Sequence, residues 1–162
     1  MYRPLSKNAA DARNSFYAVA DGTAVKINEV ADPVFSQKLL GDGYAVFPEN
    51  GIIHAPVFGR IISIYKTKHA MNLRMDNDVE ILLHMGIDTW ELQGFPFDLK
   101  VTVGELVTPQ MVVAEVNLDE LKEFGKETDM IVAITSNDEA KKFVMKKSGK
   151  VKVGEKIGEI ID

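Results

Sequence analysis

From Phe16 onward the chain is a series of short apolar runs separated by Gly, Pro, Asp and Asn. Thr23–Ile27, Tyr44–Phe47, Gly51–His54, Ile61–Tyr65, Val79–Ile87, Leu99–Val103, Met111–Val116 and Met130–Thr135 are such runs. Short runs at near-regular spacing with turn residues between them predict an all-β sandwich or barrel. Only Leu118–Lys126 and Asp138–Lys146 carry a helical pattern, and both are short. Residues 1–15 are polar and aperiodic and read as an N-terminal arm, which leaves 16–162 as one domain. Two weak repeats stand out. Ala18-Val-Ala-Asp-Gly22 parallels Ala55-Pro-Val-Phe-Gly59, and Val101-Thr-Val-Gly-Glu105 parallels Val151-Lys-Val-Gly-Glu155. If real, they imply a pseudo-symmetric sandwich.

The segment 67–88 combines strand pattern with chemistry. Two apolar runs flank Asp76-Asn77-Asp78, a turn signal. With Asp76-Asn77 as a two-residue loop, opposed residues have numbers summing to 153, which pairs His69 with His84. Their Cβ atoms would lie roughly 4.5–5.5 Å apart on one face, and a one-residue slip would undo the pairing. Val79, Ile81, Leu83, Met85 and Ile87 form the core side of the second strand. Asp78, Glu80, Leu82 and His84 form a mixed, more accessible side. Gly86 is expected to leave open space beside His84.

Composition narrows the chemistry. The chain has 162 residues, 46% of them hydrophobic, enough for a core, and a net charge of −5. An acidic balance argues against a nucleic-acid partner. No apolar run is long enough to span a membrane, and the start lacks a signal-peptide core. The absence of cysteine excludes disulfides, thiolate metal sites and thiol nucleophiles. There is no G-x-x-x-x-G-K-[ST], H-E-x-x-H, G-x-S-x-G or strand-following G-x-G-x-x-G. The expected setting is cytoplasmic, with no cofactor.

A close histidine pair supports three chemistries. It binds zinc if an acid or water completes the set. It performs acid/base work. It carries a phosphoryl group on one ring while the other steadies the anion. Asp88, just after the second strand, could orient a ring nitrogen or meet a basic partner.

The motifs decide between these. Asp32-Pro-Val-Phe-Ser-Gln-Lys-Leu-Leu-Gly-Asp-Gly43, Ala55-Pro-Val-Phe-Gly59, Thr67-Lys-His69-Ala and Val79-Glu-Ile-Leu-Leu-His84-Met-Gly-Ile-Asp-Thr-Trp-Glu-Leu92 closely resemble the glucose-family IIA component of the bacterial sugar phosphotransferase system. The resemblance runs from about Phe16 to Ile161. It implies an antiparallel β-sandwich of the barrel-sandwich type, with a few short helical turns. It implies a phosphoryl relay in which phosphorylated HPr donates to a histidine, which then donates to a cysteine on the IIB domain of a sugar permease. On the matching motifs the acceptor is His84, the stabilising histidine is His69, and Thr67 supports His69 by accepting its ring hydrogen bond. Asp88 is an active-site or partner-facing charge. His54 falls outside both motifs and takes no role. Asp32, Val34, Phe35, Leu39, Leu40, Met71 and Trp90 are expected to form a partner-binding rim. Regulated transporters or enzymes are further candidate partners, and peripheral association with a membrane permease, without insertion, is the expected location. No native metal is expected, although His69 and His84 could bind zinc adventitiously.

Departures from the family pattern lie outside the histidines. Gly94-Phe95-Pro96-Phe97 stands where Gly-Glu-Gly-Phe is usual, Ala18-Val-Ala-Asp-Gly22 lacks a proline, and Trp90 and Arg74 are unusual at their positions. Two other classes compete: a non-catalytic regulatory or zinc-binding β-sandwich, and, more weakly, a biotinyl-like carrier lacking the Met-Lys-Met turn.

Overall fold

In the computed structural model, residues 12–136 and 141–161 are described. Among these residues 14 strands form: β1 (Ser15–Tyr17), β2 (Gly22–Lys26), β3 (Gly43–Pro48), β4 (Ile52–His54), β5 (Gly59–Ile64), β6 (Ala70–Met75), β7 (Glu80–Met85), β8 (Phe97–Leu99), β9 (Leu106–Val107), β10 (Val112–Val116), β11 (Met130–Ile134), β12 (Lys142–Met145), β13 (Gly149–Val151) and β14 (Lys156–Ile161). Helix is confined largely to α1 (Pro33–Ser36), α2 (Leu118–Glu123) and 3-10 turns at Ile27–Glu29 and Thr89–Leu92. One sheet has eight strands in the order β13-β2-β3-β11-β7-β6-β5-β9; two three-stranded sheets run β4-β10-β8 and β1-β14-β12. Every pairing among the described residues is antiparallel, so the fold is the expected all-β sandwich.

Two cores explain the near-continuous apolar runs. The larger lies on one side of β3, β11 and β7 and includes Tyr44, Val46, Met130, Val132, Ile81, Leu83 and Met85. The other face of the same strands packs Ala45, Ile131, Ala133 and Leu82 against Ile27, Val30 and Phe35. A central strand buried on both sides loses the apolar/polar alternation of a half-exposed one. The side carrying Leu82 and His84 is therefore covered by a second core, not left open. Ile87 joins that second core and not the first, because Gly86 has φ +82 and ends the pleat before it.

The repeated Val-x-Val-Gly-Glu segments form the same turn. Gly104 and Gly154 both have positive φ, and Glu105 and Glu155 each accept from a backbone N–H three residues earlier, at Thr102 and Lys152.

Two expectations fail here. Part of Asp138–Lys146, expected to be helical, is strand: Lys142–Met145 pairs with Lys156–Ile161, while 137–140 lie outside the described residues. The reason is aromatic packing. Phe143 packs against both Phe16 and Tyr44, with ring centroids 5.2 and 5.8 Å away. The β6–β7 register is also off by one. The ladder pairs Ala70 with His84 and Arg74 with Glu80, so opposed numbers sum to 154. The loop takes three residues, Asp76-Asn77-Asp78. Asp78 adopts φ 68, and the Asn77 side chain accepts from Val79 N–H at 3.0 Å.

Candidate active site

His84 sits on β7, flanked by Ala70 on β6 and Ile131 on β11. Both neighbours are apolar and fully buried, so the imidazole rises from an apolar floor. Phe35 of α1 covers one side at a ring centroid distance of 4.9 Å. The Nδ1 nitrogen lies 2.7 Å from the Gly86 carbonyl oxygen. A carbonyl only accepts, so the neutral ring carries its proton on Nδ1 and leaves Nε2 with a free lone pair. Gly86 achieves this through its left-handed backbone. There is no open space beside it: a Cβ there would come within 2.5 Å of Thr89 Cγ2 and 3.0 Å of the Glu127 carbonyl oxygen.

His69 lies just before β6. A tight turn brings it there: Lys68 N–H donates to the Tyr65 carbonyl at 2.8 Å, and Lys68 has φ 60. Its carbonyl accepts from Met85 N–H at 2.7 Å. The slipped register puts Ala70, not His69, opposite His84. The two imidazoles nevertheless meet, with centroids 4.8 Å apart and planes at 82°. Outside the regular ladder the pleat no longer sets the direction of a side chain, and the small Ala70 leaves room over the strand. His69 is only 4% exposed, so the pair is less accessible than the sequence suggests. Thr67 Oγ1 lies 2.6 Å from His69 Nδ1. Tyr65 packs edge-on against His69 at 5.3 Å. Tyr65 and the Gly86 carbonyl escaped the sequence reading: Tyr65 looks like a strand end, and a backbone acceptor leaves no residue signature.

Both histidines are held neutral. Burial, and then the charge of His84, push the His69 pKa down to about 4. Burial also lowers that of His84, against the opposing pull of the Gly86 carbonyl and the negative charge of Asp32.

The proposed rim separates into three kinds. Val34, Leu39, Leu40 and Trp90 are exposed large apolar side chains, as a docking surface requires. Phe35 is buried, yet it touches His84. Met71 is wholly buried in the main core and does not belong to the rim, since its place in β6 points it to the side opposite Ala70. Asp32 caps α1 by accepting from Val34 N–H at 2.8 Å, which fixes it near His84. Asp88 is exposed, in a left-handed conformation (φ 59) at the start of the 3-10 turn; the ring hydrogen bonds go to Thr67 and Gly86 instead. His54 bonds the Pro109 carbonyl at 2.9 Å, away from the pair. Among the described residues no group of three or more His, Cys, Asp or Glu is placed to hold a metal ion, and no helix is long and apolar enough to cross a membrane.

Comparison with known proteins agrees with this geometry. The sequence profile described as phosphoenolpyruvate-dependent sugar phosphotransferase system, EIIA 1, matches residues 14–140. A PTS system glucose-specific EIIA component of Staphylococcus aureus (strain COL) is 36% identical over 126 residues, covering 78% of this chain and 76% of that one. A protein of the same description from Halalkalibacterium halodurans is 33% identical over 147 residues, covering 91% and 85%. A glucose-specific EIICBA component of Streptococcus pneumoniae is 40% identical over 139 residues; these are 86% of this chain but only 19% of that much longer protein. Among solved structures, glucose permease IIA from Mycoplasma capricolum superposes with a TM-score of 0.82 at 35% identity, covering 90% and 94%. With the profile spanning residues 14–140 and the fold matching over 90% of its length, the chain belongs to the EIIA family of the phosphoenolpyruvate-dependent sugar phosphotransferase system.

Proposed function

We propose that this chain carries a phosphoryl group on Nε2 of His84, taking it from phosphorylated HPr and passing it to the IIB domain of a sugar permease. The observation that carries this reading is the 2.7 Å contact from His84 Nδ1 to the Gly86 carbonyl, which leaves Nε2 as the ring's nucleophile. In the first step the lone pair of Nε2 attacks phosphorus, a P–N bond forms, and the P–N bond to the donor's histidine breaks. In the second, a cysteine thiolate on IIB attacks and the His84 P–N bond breaks. Nδ1 keeps its proton throughout. Phosphoryl transfer asks a protein mainly for position and charge stabilisation.

His69 supplies the stabilisation by donating from Nε2 to the phosphoryl oxygens. Since His69 is neutral near pH 7, that donation requires the Thr67 hydroxyl to donate a hydrogen bond to the unprotonated His69 Nδ1. Thr67 thus acts as the donor, the reverse of the role expected from the sequence. Asp32 and Asp88 offer negative charge to a basic donor protein, and Val34, Leu39, Leu40 and Trp90 offer apolar contact. The relatives are named for glucose, so a glucose-type permease is the first IIB partner to assay.

Incubation with radiolabelled phosphoenolpyruvate, the system's general phosphotransferase enzyme and HPr tests the reading. The expected result is an acid-labile label on the wild type and none on His84→Ala. A label of equal rate on the variant overturns it.

A further inference from the structure

A groove of about 500 Å3 that contains neither histidine is lined by the start of β4, the end of β10 and the 95–98 segment. Its walls carry two exposed apolar side chains, Phe95 at 73% and Ile52 at 43% exposure. Asp98, Glu115 and Glu120 bring three carboxylates. One cation, Lys100, is paired with two of them, Asp98 at 2.7 Å and Glu115 at 4.0 Å.

Glu120 is the unusual member. It is the third residue of α2, whose N-cap is Asn117. In a capping box its carboxylate would take the N-cap backbone N–H. Here Asn117 N–H donates to the Pro96 carbonyl at 2.9 Å. Glu120 Oε1 accepts from the Asn117 side chain at 2.6 Å instead. Oε2 is shielded from solvent with no hydrogen-bond partner among the described residues. A desolvated carboxylate oxygen without a donor is costly, and a turn of the half-buried Glu120 side chain that brings it to a cation in the groove relieves that cost. Scattered exposed apolar residues are ordinary; an exposed Phe and Ile beside an orphan carboxylate are a matched set.

We propose that this groove is a second docking surface, taking an extended basic segment of a partner protein that rests an aliphatic side chain on Phe95 and Ile52 and places a Lys or Arg against Glu120. The charge balance selects a basic partner: of the three carboxylates in the lining, Asp98 and Glu115 share Lys100, and Glu120 has no ion-pair partner among the described residues. None of the residues lining the groove belongs to the histidine site, so phosphoryl transfer at His84 does not require this surface.

The probe is acetyl-Gly-Arg-Leu-Arg-Gly-amide, titrated into the isotopically labelled whole chain and followed by amide NMR, with the Glu-for-Arg peptide as control. The expected result is saturable shifts around Ile52, Phe95 and Glu120, absent with the acidic peptide and reduced by salt. Glu120→Gln and Phe95→Ser should each weaken binding about tenfold. Phe95→Ser, at an exposed position, should keep the wild-type melting temperature and the wild-type rate of His84 labelling. No response, an equal response to the acidic peptide, or shifts centred on His84 would overturn the proposal. Concentration-dependent self-association abolished by Phe95→Ser would also overturn it, by making the occupant a second copy of this chain.

Discussion

His84 and Gly86 are joined by a 2.7 Å contact from the imidazole Nδ1 to the carbonyl oxygen two residues on. It closes a small ring of backbone and side chain that fixes both the orientation of the imidazole and the nitrogen left free. The nucleophile is thus prepared by the backbone, and the second histidine is available for a different task.

That division of labour separates the two half-reactions. His69→Gln retains a donor of similar reach but loses the imidazole. It should still accept phosphate from HPr and pass it to IIB about 10²–10³ times more slowly, the usual scale for losing one stabilising donor. Single-turnover assays of each step measure this. Wild-type rates in both steps would remove His69 from the mechanism.

Thr67→Val keeps the shape and deletes the hydroxyl 2.6 Å from His69 Nδ1. Stability should fall by about 1 kcal/mol, and the proton of the His69 ring should no longer be confined to Nε2. The 15N shifts of the His69 ring nitrogens report the change, and transfer to IIB should slow while uptake from HPr changes less.

Gly86→Ala tests the backbone device. The added methyl meets Thr89 and the Glu127 carbonyl, and φ +82 disfavours it on its own account. Destabilisation of about 1–3 kcal/mol is expected. In the folded fraction, phosphorylation should be slowed because the carbonyl that holds Nδ1–H is displaced. A variant of wild-type rate would show that the Gly86 contact is dispensable.

How much of this was legible beforehand depended on locality. The Asp76-Asn77-Asp78 turn marked the hairpin, and the apolar side Val79, Ile81, Leu83 and Met85 was readable from alternation alone. The register was not. A three-residue loop with Asp78 in the left-handed region and a two-residue loop share the same turn residues, and the difference of one moves His69 from opposite His84 to opposite Met85. Lys142–Met145 failed for a non-local reason: its strand state depends on Phe16 and Tyr44, far away in sequence.

The pH dependence of stability follows from His69. Its folded pKa of about 4 lies below the ordinary value of 6.5, so between these pH values the unfolded chain binds more protons than the folded one. Stability contributed by the neutral, buried ring is therefore complete above pH 6.5 and is lost as pH falls toward 4. The loss is of order 3 kcal/mol at most. Urea unfolding at pH 7.5 and pH 4.5 should show a larger drop for the wild type than for His69→Gln. Equal drops would mean that His69 is not the titrating group.

The exposed rim makes a separable prediction. Leu40→Asp and Trp90→Asp change side chains that are 41% and 55% exposed, so unfolding midpoints should stay near the wild type. Transfer from HPr should weaken through a higher KM. Met71→Asp, by contrast, places a charge in the main core and should prevent folding.

By itself the sequence determined the strand-rich fold, the hairpin's position and the two histidines; the resemblance to the family added Thr67 as the partner of His69. These follow from alternation, turn residues and short motifs, which act over a few residues. The tertiary structure decided what depends on distant segments or on backbone torsion. The Ile27–Phe35 segment closes a second core over Ala70 and Ile131, making Phe35 a wall of the site and His84 half-buried. A turn at Tyr65–Lys68 brings His69 to His84 from outside the ladder, and the left-handed Gly86 aims a carbonyl at Nδ1. None of these is written in residue type, because each is a choice among backbone paths that only packing against the rest of the chain resolves.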